Sequence, residues 1–221
     1  MALIKADLHI HSIYSDGKGS PIEILHTSMS KNIGIISITD HDTFEGSIKA
    51  RALSKNKELP LVILGIEMRT DKGDILVYCI NQVNLPKRLD DLIDKAHDEN
   101  CLIVPAHPFD IFKLGIGDEI FNYRDWDAIE IWNATASKGS NYEAIRAAKL
   151  LEKPGIANSD AHVLEAIGVA HTIIEIDDLK PELVLEAIRK NNVRPIFGTL
   201  STKTYAKMLA WGLERRIRKI F

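Results

Sequence analysis

Cysteine is nearly absent from this chain of 221 residues: Cys79 and Cys101 are the only two. That excludes a disulfide-dense scaffold and a cysteine-rich zinc finger. Both stand in apolar, strand-like surroundings, which predicts two small buried hydrophobes rather than a disulfide or a CxxC site. Long apolar runs are missing too, and none nears the ~20 residues that cross a bilayer. The opening Met-Ala-Leu-Ile-Lys-Ala-Asp lacks the basic region and apolar stretch of a signal peptide, so cytoplasmic residence is expected. Charge of either sign is not in excess; a net charge of −3 argues neither for nor against nucleic acid. No internal repeat or low-complexity linker interrupts the chain. What remains, 45% hydrophobic and 27% charged, is an ordinary globular composition in a length that fits one α/β domain.

Apolar strand-like runs alternate with helical patterns. Strands are predicted at Leu3–Leu8, Ile35–Thr39 and Leu61–Met68, and at Asp74–Ile80 after the turn Thr70-Asp71-Lys72-Gly73, which makes a hairpin. Further strands fall at Leu102–Ala106, Ala128–Trp132, Gly155–Asn158 and His171–Ile176. Helices are expected from Ser20-Pro21, and over Thr43–Lys57, Pro86–Asn100, Asn141–Glu152 and Pro181–Asn191. Repeated strand–helix units imply parallel strands with crossover helices, and this number of strands fits a compact or irregular (β/α) barrel better than an open sheet. The irregular stretch from Phe109 to Asp125 reads either as a substrate-covering loop or as a surface connection.

Acidic and histidine clusters recur at the ends of these strands. They are Asp7-Leu8-His9-Ile10-His11, Thr39-Asp40-His41-Asp42, Gly65-Ile66-Glu67, Ala106-His107-Pro108 and Ser159-Asp160-Ala161-His162, and they hold five of the eight histidines. Carboxylate and imidazole together are the ligand set of zinc, manganese and iron. His9 and His11, two apart on a strand, project to one face, and Asp160 and His162 repeat that spacing. Asp40 and Asp42 are placed to orient imidazoles, and Glu67 ends an apolar run where an unpaired carboxylate is costly without a cation. Proline after His107 fixes the backbone just beyond its strand.

Together with Ile-Glu-Ile-Trp-Asn at 129–133, these strings resemble the PHP family, the polymerase and histidinol phosphatase superfamily of metal-dependent phosphoesterases, from Asp7 to about Pro195. The resemblance implies a distorted (β/α)7 barrel with two to three divalent ions, Zn, Mn or Fe, at the C-terminal ends of the strands. One ion would take His9, His11, Glu67 and Asp160. A second would share Glu67 and add His107, and a third would use His41, His162 and Asp16. Where many relatives carry a histidine on the returning strand this chain places Asp74, either an oxygen ligand favouring manganese or iron, or a turn residue. Asn133 ranks behind these as a contact to metal or substrate.

The reaction implied is phosphate ester hydrolysis, with bound cations lowering the pKa of a shared, bridging water so that hydroxide exists near neutral pH. His41 and His162 are the acid candidates for the leaving oxygen, and Glu67 and Asp160 belong to the same catalytic set. Arg69 and Lys138 are the cations placed to hold phosphate. A phosphatase for a small phosphorylated metabolite or nucleotide comes first, because forty residues between Glu67 and His107 leave no room for a helical insertion and no polymerase domain is attached. A nuclease or phosphodiesterase acting on oligonucleotide ends comes second. It draws on the segment 201–221, which follows the 1–200 domain with a local charge of +5 and Leu209, Leu213, Ile217 and Ile220 at helical spacing. That segment is expected as an amphipathic helix packing its apolar face on the domain or a subunit neighbour, with an RNA patch or membrane-surface helix as alternatives. A metal-binding scaffold without activity is the third reading.

Overall fold

The computed structural model describes residues 1–55 and 58–218. The chain opens with β1 (Ala2–Ile10), α1 (Pro21–Ser30), β2 (Ile35–Ile38), α2 (Glu45–Leu53), β3 (Leu61–Val62), β4 (Leu64–Arg69) and β5 (Asp74–Cys79). It continues with α3 (Leu89–Asp98), β6 (Leu102–Pro105), β7 (Ile129–Asn133), α4 (Lys138–Leu150), β8 (Gly155–Asn158), β9 (His171–Ile176), α5 (Pro181–Arg189), β10 (Val193–Ile196) and α6 (Thr202–Arg218).

Local chemistry sets several of these boundaries. Pro21 opens α1, and the Glu23 carboxylate accepts from both the backbone N–H and the hydroxyl of Ser20, closing the first turn. The Ser137 hydroxyl accepts from the Ser140 N–H, so α4 starts at Lys138, three residues before the expected Asn141. Leu89, Leu92, Ile93 and Ala96 bury one face of α3, the helical repeat expected of a helix lying on a sheet. The far end expected for the second helix, at Lys57, lies outside the described residues.

Hydrogen bonding among the described strands gives three sheets, ordered β10-β9-β1-β2-β3, β4-β5-β6 and β7-β8. Pairings are mixed rather than all parallel: β1–β2, β2–β3 and β7–β8 are parallel, whereas β1–β9, β9–β10, β4–β5 and β5–β6 run antiparallel. The single strand expected over Leu61–Met68 is two, because β3 pairs with β2 while β4 turns away to pair with β5. Strand β10 was not expected; Arg194 and Pro195 break its apolar run. At one end the sheets meet through isolated bridges, Ile10 with Ala161 and His41 with Glu67. The clusters identified from sequence lie at that end.

The cysteines correct the expectation made for them. Cys79 and Cys101 form a disulfide. The antiparallel register of β5 and β6, with Tyr78 opposite Leu102, carries the next pair directly across the sheet. Sequence showed two apolar environments, but not that they face each other. The terminal helix packs on the domain, though not through the face expected to do so. Met208 and Trp211 pack on the core of Ile10, Ile24 and Ala161, while Leu209, Leu213 and Ile217 are 51–61% exposed. Ile220, the fourth member of the expected face, lies outside the described residues. No helix among those described is long and apolar enough to cross a membrane.

Candidate metal centre

Four side chains from three strand ends meet at the centre of the site. His9 Nε2 lies 3.2 Å from His11 Nε2, 3.4 Å from Glu67 Oε2 and 3.6 Å from Asp160 Oδ1. His11 Nε2 lies 3.2 Å from both Glu67 Oε2 and Asp160 Oδ1. A tetrahedral ion with ligands at 2.0–2.1 Å has donor–donor edges of ~3.3 Å. Five edges among these four donors therefore fall near the spacing a cation imposes. Glu67 Oε2 and Asp160 Oδ1 are buried without a hydrogen-bond partner, as are Asp74 Oδ1, His41 Nδ1 and His107 Nδ1. Unpartnered buried carboxylate oxygens are costly, and a cation satisfies them. The residues present thus fit a divalent metal.

A surrounding layer orients these side chains. His9 Nδ1 faces Glu130 Oε1 at 3.0 Å; a carboxylate only accepts, so in the neutral imidazole the proton sits on Nδ1 and the Nε2 lone pair points inward. Glu130 also accepts from the His107 backbone N–H (2.7 Å), from Asn133 Nδ2 (3.0 Å) and from Asn158 Nδ2 (2.9 Å). Sequence reading quoted Glu130 within a motif but gave it no role; the signal available was a lone carboxylate inside an apolar strand. Asp7 accepts from the backbone N–H and hydroxyl of Ser159 and from the Gly168 N–H, which ties the end of β8 to β1. Burial, partly offset by these bonds, pushes its carboxyl up to about 6. Asp160 and His107 hold positive φ, 49° and 31°, so the backbone at both residues is strained, and His107 is not extended as its proline neighbour suggests.

Around this centre the remaining candidates divide. His107 Nε2 lies 2.9 Å from Glu67 Oε1. Asp74, opposite Arg69 at the start of β5, groups with His41 and Glu67, with donor atoms within 4.8 Å. Asp16 Oδ1 lies 3.2 Å from His162 Nε2 and 3.4 Å from His11 Nδ1, and its Oδ2 is 3.6 Å from His41 Nε2. His162 Nδ1 meets the Asp160 carbonyl at 3.1 Å, which leaves the Nε2 lone pair for the Asp16 side. The flanking aspartates of His41 do not orient imidazoles. Asp40 accepts from Ser12 and Ser15 and so fixes the loop bearing Asp16, and Asp42 pairs with Lys87. Gly46 lets Asp40 pack this closely, since a Cβ there would stand 2.0 Å from Asp40 Oδ2.

Charge in the site is self-compensating. Burial works against a proton on His9 and His11, yet carboxylates outweigh it: Asp160, Glu130 and Glu67 for His9, and Asp160, Glu67 and Asp16 for His11, which is pushed up to about 10. Burial first, then Glu67, pushes Asp74 up to about 7. Metal-free, the protons on the imidazoles neutralise what a cation otherwise would.

The cavity over this centre, about 200 Å³, is lined by His11, Glu67, Asp160, Arg69, Lys113 and Phe112 among others. Lys113 Nζ lies 2.6 Å from Asp160 Oδ2. Burial would lower its pKa, but Asp160 raises it, so the ammonium persists. Lys113 was missed because it sits in the irregular stretch after His107, where no periodicity singles it out; that stretch forms two short 3₁₀ turns, of which the first, Ile111–Lys113, lines the cavity. Lys138 is exposed at the start of α4 and does not line the cavity. Asn133 is buried and donates to Asp160 Oδ2 at 3.1 Å.

Residues 7–119 match the family model of the PHP domain, and residues 138–193 match that of the PHP-associated region. The chain is 33% identical over 144 residues to an uncharacterised protein of Methanocaldococcus jannaschii, covering 59% of this chain and 82% of that protein. It is 37% identical over 67 residues to a 5'-3' exoribonuclease of Haemophilus influenzae, 30% of this chain and 24% of that enzyme. Over 74 residues it is 30% identical to a 3',5'-nucleoside bisphosphate phosphatase of Chromobacterium violaceum, 34% and 26% of the two. Its fold is similar to that of a two-domain protein of Bacteroides vulgatus described as containing a predicted PHP-like metal-dependent phosphoesterase. That match has a TM-score of 0.76 at 19% identity and covers 89% of this chain, which spans 65% of the other.

Proposed function

As the chain belongs to the PHP family, we propose that it hydrolyses phosphate esters of a small metabolite or nucleotide with the aid of two to three divalent ions. The observation that carries this reading is the set of five donor–donor distances, 3.2–3.6 Å, among His9, His11, Glu67 and Asp160. On this reading those four residues hold one ion, Glu67 and His107 a second, and Asp16, His41 and His162 an outer one. Asp74 faces Glu67 from the returning strand as an oxygen donor. Bound ions activate water and neutralise the phosphoryl oxygens. The chain does the rest. The ammonium of Lys113 and the guanidinium of Arg69 draw phosphate into the cavity, and whichever of His162 and His41 does not hold an ion is the acid for the departing oxygen. The strand ends of all three sheets converge on one point, as they would in a distorted (β/α)7 barrel, while hydrogen bonding among the described strands leaves the sheets open.

A second reading, a nuclease on oligonucleotide ends, is favoured by one observation: Lys203 and Arg216 lie exposed on α6. The deciding experiment measures metal content per chain after manganese or zinc loading and desalting, beside Asp74→Ala, followed by a screen of phosphomonoesters against oligonucleotide diesters. Two to three ions in the wild type, fewer in the variant, and monoester turnover are expected. Preference for diesters would favour the second reading. A folded wild type that retains no metal would sink both, and metal retained without turnover of either ester would leave the metal-binding scaffold.

A further inference from the structure

Helix α6 brings two side chains, one turn apart, onto a single residue almost two hundred positions away. The Trp211 indole N–H donates to the Asp16 carbonyl at 2.8 Å. Arg215 Nη1 donates to the same carbonyl at 3.0 Å and lies 2.8 Å from Asp16 Oδ2. Positions four apart share a helix face, and on this face Met208 and Trp211 rest on the core while Lys18 Nζ stands 5.5 Å over the Trp211 ring. The helix is therefore anchored independently of its contact with Asp16.

The loop that carries Asp16 is fixed at its backbone: Gly17 N–H donates to the Ser12 carbonyl and Lys18 N–H to the His162 carbonyl. Gly17 must be glycine, since a Cβ would stand 2.0 Å from the His11 carbonyl oxygen. None of this fixes the Asp16 side chain. Its carboxylate must choose a rotamer among His11, His41 and His162, and an arginine bonded to both its carbonyl and its Oδ2 selects one. Oδ1 is then left facing His162 Nε2 at 3.2 Å.

We propose that Arg215, seated by Trp211, is a positioning residue that orients the Asp16 carboxylate toward His41 and His162 and thereby sets the affinity of the outer cation position. The assignment rests on reading Asp16, His41 and His162 as metal ligands. Helix α6 lies beyond residue 193, where the matched family regions end, so the contact is a property of this chain rather than of the matched pattern.

The test is manganese titration by calorimetry with elemental analysis on the full chain, comparing wild type with Arg215→Ala, Arg215→Lys and Glu165→Ala. The expected result is that Arg215→Ala weakens the loosest ion about 10–100-fold, the usual effect of losing a residue that orients a ligand, and leaves the tighter ions in place. Arg215→Lys recovers part of the loss, because an ammonium keeps the charge without the two-pronged geometry. Glu165→Ala removes the partner of Lys207, an exposed pair elsewhere on α6 that does not touch Asp16, and leaves manganese binding unchanged. A folded Arg215→Ala chain that binds every ion as the wild type does, or more tightly, overturns the assignment. Should that variant not fold, Trp211→Phe, which keeps an aromatic ring on the core and loses the N–H, decides by the same titration: unchanged binding overturns it. A wild type that binds no manganese defeats this assignment and the proposed function together, whereas a metal-binding wild type unaffected by Arg215→Ala defeats this one alone.

Discussion

His9, His11, Glu67 and Asp160 reach the site from strand ends and are almost wholly buried, whereas Asp16, His41 and His162 stand on loops with side chains 16–17% exposed. The inner set leaves carboxylate oxygens with no hydrogen-bond partner, an arrangement that strand packing enforces and only a charge-neutralising partner completes. In the outer set Asp16 and His162 already have partners, the guanidinium of Arg215 and the carbonyl of Asp160. One half of the site is built into the fold and the other is adjustable. Removing an inner ligand should therefore abolish function, and removing an outer one should only tune it.

The largest effect tests that contrast directly. Glu67→Gln preserves the shape of the side chain but removes the charge that His9, His11, His41 and His107 all face. Phosphomonoester turnover is expected to fall about a thousandfold, the equivalent of several kcal/mol of transition-state stabilisation. His162→Ala is expected to cost about a hundredfold, in the range of a single acid–base group. Steady-state kinetics on both variants checks this. Equal losses would erase the distinction between the two halves.

Metal removal sharpens the comparison through pH. His11 has its pKa raised from 6.5 to about 10 by Asp160, Glu67 and Asp16, against the opposing effect of burial. A raised folded value means that the protonated imidazole stabilises the metal-free fold fully below about 6.5. That stabilisation is lost as pH rises through 10. A bound cation takes over the same lone pair and needs it deprotonated, so loading releases protons and grows stronger over the same window. Thermal melts of the chelated chain should fall steadily from pH 6.5 to 10, and those of the manganese-loaded chain should not. Parallel curves would show that the inner imidazoles carry no such proton.

The inner half was legible in the sequence and the outer half only in part, for a physical reason. Asp7 to His11, Glu67 and Asp160 lie in local strings on strand ends, where period-two geometry and burial speak for themselves. The hairpin of β4 and β5 announced itself by Thr70-Asp71-Lys72-Gly73. Contacts between distant segments leave no such trace. Nothing near Cys79 says that Cys101 lies opposite, nothing in His171–Ile176 says that it returns antiparallel to β1, and Arg215 reads as one more basic residue in a charged tail. Lys113 was hidden in the same way: a single lysine in an irregular loop has no pattern until the fold sets it against Asp160.

The rim of the cavity adds a third kind of residue, and the smallest effect. Phe112 lines the opening yet is 93% exposed, with Leu114 beside it at 55%. An aromatic ring held in water at the mouth of a polar site offers a surface to the part of a substrate that carries no charge. Stacking of a nucleobase on such a ring contributes about 1–3 kcal/mol. Phe112→Ala is expected to raise KM for a nucleoside monophosphate roughly fivefold, near the lower end of that range. Because the ring touches neither the donors nor the reacting oxygen, kcat should stay unchanged, as it does when binding is lost equally from ground and transition states. A phosphate ester of a small aliphatic alcohol has nothing to stack and should show no change in KM. Equal shifts for both esters would mean that Phe112 shapes the cavity rather than selecting what enters it. A shift confined to the nucleotide would place selectivity on the rim, apart from the inner donors that would do the chemistry and the outer ones that would tune it.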